Sequence, residues 1–140
     1  MASEPRAVPV SVDVCATEIQ EPPGGKRYAV YVCRVHVTTG RAPWYILRRY
    51  KDWEQLQGEL QAATRGRQKP PSLPGKKLLG NMDPGFLETR RLQLQDWVTA
   101  VVRNRVLCES EQMWGWLQPV QADTAYGKSS SPSDLSLIHI

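Results

Sequence analysis

Val8, Val10, Val12 and Val14 alternate with Pro9, Ser11, Asp13 and Cys15, the period of a strand with one buried face and a proline near its start or on an edge. The turn signal Glu21-Pro22-Pro23-Gly24-Gly25 follows, and then a run rich in β-branched and aromatic residues from Tyr28 to Val37, the composition of a second strand. Thr39-Gly40-Arg41-Ala42-Pro43 interrupts it, and Trp44 to Arg49 resumes extended character. Three consecutive strands with short connections predict an antiparallel meander. At Tyr50 the period changes. Trp53, Leu56 and Leu60 stand at i, i+3 and i+7 among charged and amide residues, which is one apolar stripe on a helix ending near Thr64-Arg65-Gly66. Lys69-Pro70-Pro71-Ser72-Leu73-Pro74-Gly75 cannot continue it, because each proline fixes φ and turns the preceding residue away from the α region. That stretch is expected to be extended and polyproline-II-like. Asp83-Pro84 supplies an N-cap with proline at the first helical position, Phe86 to Val102 runs on without a breaker, and a short helix fits between Glu109 and Leu117. The fold class is therefore α+β, a three-stranded antiparallel sheet packed against a helical subdomain with a proline-rich segment between helices. Residues 8–121 are expected to form the domain, 1–7 a flexible N-terminus, and 122–140, with its Ser129-Ser130-Ser131-Pro132-Ser133 cluster, a disordered tail.

A length of 140 residues, 41% of them hydrophobic and 23% charged, suits one globular domain with a modest core. No apolar run approaches the roughly 20 residues that span a bilayer, and the first residues lack a secretory pattern, so a soluble, cytosolic chain is expected. Cys15, Cys33 and Cys108 are odd in number and widely spaced, which indicates buried free thiols rather than a disulfide framework or a metal site. The net charge of +4 is unevenly distributed: residues 41–105 hold thirteen basic and six acidic side chains, against four and four before them and one and four after. A local excess of that size suits an anionic partner, whether nucleic acid, membrane or acidic protein, or else a solvated basic face.

The second long helix carries an anomaly. Phe86, Arg90, Leu94, Trp97, Val98 and Val101 fall in one column, so Arg90 interrupts an apolar line while Arg91 lies on another face. A cation so placed needs a partner or an aliphatic stem that reaches out to water. Arg48, Arg49 and Lys51 cluster where the third strand becomes the first long helix. Cations are unfavourable at a helix start, with its positive dipole end and open N–H groups, unless an anion sits among them. Strand parity puts Arg48 on the face of Trp44 and Ile46, and Arg49 on that of Tyr45 and Leu47; periodicity leaves open which arginine meets a ligand. Tyr50 offers an aromatic face to a ligand or to the core. Lys76 and Lys77 follow the stiff proline stretch, which can hold a lysine in place at low entropic cost. No nucleophile elbow, P-loop or metal-ligand spacing is present, and the two histidines, His36 and His139, stand apart. Neither catalysis, a cofactor nor a metal is expected.

Three separated motifs, Arg48-Arg49-Tyr50-Lys51-Asp52-Trp53-Glu54-Gln55-Leu56, Pro70-Pro71-Ser72-Leu73-Pro74-Gly75-Lys76-Lys77 and Phe86-Leu87-Glu88-Thr89-Arg90-Arg91-Leu92-Gln93-Leu94-Gln95, together resemble the Phox-homology (PX) domain of sorting nexins and their relatives, over roughly Val10 to Gln118. The resemblance implies a phosphoinositide-binding membrane-recruitment module. It most often implies phosphatidylinositol 3-phosphate as ligand, and a cytoplasmic protein peripheral on early endosomes that serves sorting and trafficking. It assigns Arg49 to the 3-phosphate, Tyr50 to the inositol ring, Lys51 and Lys76 to the 1-phosphate, and Arg90 to the 4- and 5-hydroxyls. Trp53 stands where the family usually has phenylalanine. The loop expected beside the pocket, Thr64-Arg65-Gly66-Arg67-Gln68-Lys69, is short and basic, so Leu73, Lys77, Leu78 and Leu79 are the candidate membrane contacts. The alternative is a protein-interaction module in which Pro71 to Pro74 is a PxxP ligand for an Src-homology-3 domain. Nucleic-acid binding would need exposed aromatics, whereas all five tryptophans occupy positions that suit packing.

Overall fold

The computed structural model describes residues 8–75, 82–120 and 123. Its elements run β1 (Pro9–Gln20), β2 (Tyr28–Val37), β3 (Trp44–Arg48), α1 (Tyr50–Ala63), α2 (Pro84–Arg103), α3 (Arg105–Cys108) and α4 (Glu111–Leu117). The strands form one antiparallel sheet in the order β1-β2-β3, the expected meander. One face of the sheet supplies Val12, Val14, Tyr31, Cys33, Val35 and Ile46 to the core, and the helices cover it with Trp53, Leu56, Leu60, Leu94, Val98, Val101, Met113 and Leu117. The valine alternation of β1 is broken twice. Register shifts fall between Pro9 and Ser11 and between Val14 and Ala16; Val12 and Val14 are buried, whereas Cys15, expected as a buried thiol, is exposed on the alternate face, and Cys33 and Cys108 are buried as expected.

Side chains bond to backbone groups on the open edges of both outer strands. On β1, the Gln95 amide accepts from the Val14 N–H at 2.7 Å and donates to the Val12 carbonyl at 2.9 Å. Arg91 donates to the Val14 carbonyl at 2.6 Å. Helix α2 thereby protects an edge that would otherwise present unpaired groups. On β3, the Leu47 N–H donates to Asp123 Oδ1 at 2.8 Å.

Helix α2 starts as its sequence dictates: Asp83 is the N-cap, its carboxylate accepts from the Phe86 N–H at 3.0 Å, and Pro84 occupies the first helical position. Helix α1 ends at Thr64, with Arg65 and Gly66 both at positive φ, 53° and 75°, the left-handed turn that closes many helices. Helix α3 is not evident from periodicity. Asn104 ends α2 and at once caps α3 by accepting from the Leu107 N–H at 3.2 Å.

The proline-rich segment is tied to the fold at regular intervals. The side chain of Asn104 donates to Gln68 at 3.0 Å, Trp97 Nε1 donates to the Pro71 carbonyl at 2.5 Å, and Arg90 donates to the Gly75 carbonyl. Gln68 to Gly75 thus runs back along α2 from its C-terminal end toward its first turns. Seven polyproline residues at 3.1 Å each span about 22 Å, and fourteen helical residues at 1.5 Å each span about 21 Å. The two lengths match, as the expected extended conformation requires. The same path corrects the expected position of the basic loop 64–69. That loop meets Asn104 at the far end of α2, a helix length away from Arg90, because the stiff proline segment carries the chain back from it.

The fold also reaches further along the chain than 121. Asp123, 2% exposed, is packed against β3, whereas the sequence places it beyond the domain. Its apolar neighbours give no periodicity, and a single buried carboxylate leaves no pattern to read. Among the described residues no helix is long and apolar enough to cross a membrane.

Candidate functional site

The chain carries two arginine doublets, Arg48-Arg49 and Arg90-Arg91, and in each the two members have opposite fates. In the first, Arg48 is the last residue of β3 and shares the core face with Ile46; it is 7% exposed. Its Nη1 pairs with Asp123 Oδ2 at 2.8 Å and donates to the Leu47 carbonyl at 2.9 Å. Its Nε and Nη2 donate to the carbonyl of Trp116 at 3.2 and 2.8 Å, and Nη2 also to that of Gln118 at 2.8 Å. Arg48 is fully occupied by the protein. Arg49 is the N-cap of α1, in extended conformation, with its backbone N–H donating to Asp52 Oδ2 at 2.8 Å. Its guanidinium lies over the Tyr28 ring at 4.1 Å, a cation-π contact, and among the described residues it has no carboxylate partner. The structure thus resolves the parity that the sequence leaves open, with Arg48 turned to the core and Arg49 half-buried on the other side.

In the second doublet, Arg91 is paired and Arg90 is not. Arg91 donates from Nε and Nη2 to both carboxylate oxygens of Glu88 at 2.8 and 2.6 Å and from Nη1 to Val14. The guanidinium of Arg91 holds the Glu88 carboxyl below its ordinary range. Arg90 is 5% exposed. Its guanidinium stands 4.0 Å from the centroid of Tyr50 and 4.7 Å from that of Phe86, and it donates to the Gly75 carbonyl. No ion pair reaches it among the described residues, and its Nε is buried without a hydrogen-bond partner there. A cation withdrawn from water normally requires an anion or a full set of acceptors. Aromatic faces and one carbonyl hold Arg90 in place and leave donor capacity open.

Tyr50 links the two doublets. It opens α1 one residue after Arg49, its ring carries the Arg90 guanidinium, and its hydroxyl donates to the Pro74 carbonyl. Burial raises its pKa, and the Arg90 charge works against that rise. Tyr31, on the neighbouring strand, is pushed up to about 12 by burial, again with Arg90 as the opposing influence. Lys51 is exposed on the first turn of α1. Arg49, Tyr50, Lys51, Arg90 and the end of the proline segment at Gly75 are thus assembled from three stretches of chain, joined by direct contacts between Arg90, Tyr50, Pro74 and Gly75. Lys76, Lys77, Leu78 and Leu79 lie outside the described residues. Leu73, expected at the membrane, is half-buried and packs against the hydrophobic core. The carbonyls of Pro71 and Pro74 are occupied by Trp97 and Tyr50, and Pro70 is buried, so the PxxP segment is a structural strut of the site.

The model of the PX domain matches residues 36–119, more than half of the chain. The chain belongs to the PX domain family. It is 40% identical over 76 residues to the PX domain-containing protein kinase-like protein of Rattus norvegicus, a match covering 54% of this chain and 12% of that one. It is 32% identical over 97 residues to the serine/threonine-protein kinase Sgk3 of the same species, covering 66% and 18%. Against human sorting nexin-13 it is 27% identical over 106 residues, covering 74% and 11%. The chain therefore spans less than a fifth of the length of these relatives, and the kinase names belong to the longer proteins. Among solved structures, a designed CISK-PX domain matches with a TM-score of 0.67 and 28% identity over 78% of this chain and 99% of that one. The mouse SNX19 PX domain with bound sulphate ion matches in fold with a TM-score of 0.60 and 20% identity, covering 80% and 97%. PX domains are phosphoinositide-binding membrane modules.

Proposed function

We propose that this PX domain recruits its protein to membranes by binding phosphatidylinositol 3-phosphate, on the cytoplasmic face of early endosomes, in sorting and trafficking. The observation that carries the reading is Arg90: a buried guanidinium, positioned by Tyr50, Phe86 and Gly75, with no carboxylate partner among the described residues. A ligand that brings hydroxyls and phosphates supplies the missing acceptors. In this reading Arg49 takes the 3-phosphate through paired donors, while the half-buried Tyr50 ring forms the wall against which the inositol packs. Lys51 meets the 1-phosphate. Lys76 follows Gly75, the residue that Arg90 anchors, and joins Lys51 there as a point charge. Arg90 takes the 4- and 5-hydroxyls. Lys77, Leu78 and Leu79 are the proposed membrane contacts.

Sedimentation with liposomes carrying phosphatidylinositol or its 3-, 4- or 4,5-phosphorylated forms tests the reading. The protein is expected to sediment most strongly with the 3-phosphate, and Arg49→Gln to weaken that binding about tenfold or more while circular dichroism stays unchanged, since each charge-assisted bond to phosphate contributes about 1.5–3 kcal/mol. Equal sedimentation on all anionic liposomes, undiminished in the variant, would show a diffuse basic surface instead.

A further inference from the structure

We propose that Asp123 is a positioning residue of the phosphoinositide site, acting through Leu47 and Arg48 on Arg49, so that headgroup affinity depends on docking of the segment C-terminal to α4. The inference rests on the function proposed above for Arg49. One carboxylate engages three partners. Asp123 is 2% exposed. Its Oδ1 accepts from the Leu47 N–H at 2.8 Å, and its Oδ2 accepts from Arg48 Nη1 at 2.8 Å and from the Val120 N–H at 2.9 Å. The last two residues of β3 are therefore gripped by a side chain 75 residues and more further on.

Arg49 follows immediately, and it is where strand turns into helix. Side chains on consecutive extended residues point to opposite faces, so the roll of Arg48 into the core determines where the Arg49 guanidinium emerges. Leu47 lies on the open side of an edge strand, and without Asp123 its N–H has no sheet partner. On the helical side of the junction a second carboxylate, Asp52, accepts from the Arg49 N–H. The turn carrying Arg49 is thus pinned from both directions. Both carboxylates are engaged by backbone amides or by Arg48, and neither forms an ion pair with the Arg49 guanidinium. Its charge stays available to a phosphate.

Docking of the C-terminal segment and binding of the headgroup are then coupled, and each favours the other to the same degree. The test uses the full chain and soluble dibutanoyl phosphatidylinositol 3-phosphate, titrated calorimetrically well below each variant's Tm so that only folded protein is compared. Asp123→Asn is expected to weaken binding about tenfold. The apolar pair Arg48→Met/Asp123→Leu refills the buried site without charges; it is expected to regain much of the Tm while affinity stays low, because the Leu47 N–H and the turn remain unpinned. Unchanged affinity in folded Asp123→Asn, or affinity in the double variant that returns in step with Tm, overturns the proposal and leaves Asp123 a stabilising contact only. Amide hydrogen exchange in the ligand-free protein gives a second readout. The Arg49 N–H, bonded to Asp52, is expected to exchange faster in Asp123→Asn, and an unchanged rate contradicts the coupling. If the parent binds no phosphoinositide, the functional reading fails, and exchange at Arg49 still decides whether the clamp reaches the junction.

Discussion

Four arginines stand in two adjacent pairs, one member of each held by a carboxylate of the protein itself, and single substitutions are expected to separate folding from the proposed recognition. Replacing Arg48 by glutamine leaves Asp123 buried without its cation, a change that costs about 3–5 kcal/mol where a buried pair is broken. Thermal denaturation of Arg48→Gln is therefore expected to show a large fall in Tm, whereas Arg49→Gln is expected to leave Tm near the parent value and to weaken binding about tenfold or more. Arg91→Ala loses a charge-assisted bond to the Val14 carbonyl, expected to cost about 1.5–3 kcal/mol of stability with little loss of affinity. Arg90→Lys keeps a charge but forfeits the planar stack on Tyr50 and Phe86 and the forked donors. It is expected to weaken headgroup binding about tenfold or more, as read by titration calorimetry; parent-like affinity in Arg90→Lys would mean that only charge matters at this position. The sequence identifies Arg90 as an oddity because its neighbours on the helical column are apolar, but it does not distinguish Arg48 from Arg49. Both faces of β3 carry apolar residues, and the residue that decides between them, Asp123, lies in a stretch without periodicity.

At the scale of elements, the proline segment is the feature on which the site's assembly turns. It joins Gln68 at one end of α2 to Gly75 at the other, and its carbonyls receive Trp97, Tyr50 and Arg90. Pro71→Gly/Pro74→Gly keeps those carbonyls but restores freedom to the backbone. Such a variant is expected to lose affinity severalfold, with slower association or weaker retention on liposomes and a smaller effect on the folded population, because preordering is what the prolines contribute. An affinity equal to the parent's would show that Tyr50, Trp97 and Arg90 suffice to order the segment. The meander, both long helices and the Asp83-Pro84 cap are legible from periodicity and capping chemistry alone. Helix α3 is not, since four residues are too few for a period, and the breaks in β1 are not, since bulges leave the residue types unchanged. The placement of loop 64–69 also escapes local reading. Its distance from Arg90 is set by matching the proline stretch to a helix far along the chain.

For the molecule as a whole, described cations gather toward both ends of α2, with Arg49, Lys51 and Arg90 near one and the loop bearing Arg65 and Arg67 at the other. The core beneath the first group is titratable at high pH. Tyr31, 2% exposed, has its pKa raised by burial from 10 to about 12, so the folded state holds the phenolic proton more tightly than the unfolded chain. That contribution is complete below pH 10 and is lost as pH rises through 10 to 12, a span on the order of 3 kcal/mol. Denaturant unfolding followed across this window is expected to show falling stability, less steep in Tyr31→Phe, and identical slopes would place the alkaline sensitivity elsewhere. Recognition itself is best examined across every residue at once, by recording amide and arginine side-chain resonances during titration with dibutanoyl phosphatidylinositol 3-phosphate. Saturable shifts centred on Arg49, Tyr50, Lys51 and the Arg90 side chain, with Arg65 and Arg67 still, are expected if one built site binds the headgroup. Shifts spread over both ends of α2, or centred on the loop at 64–69, would contradict it.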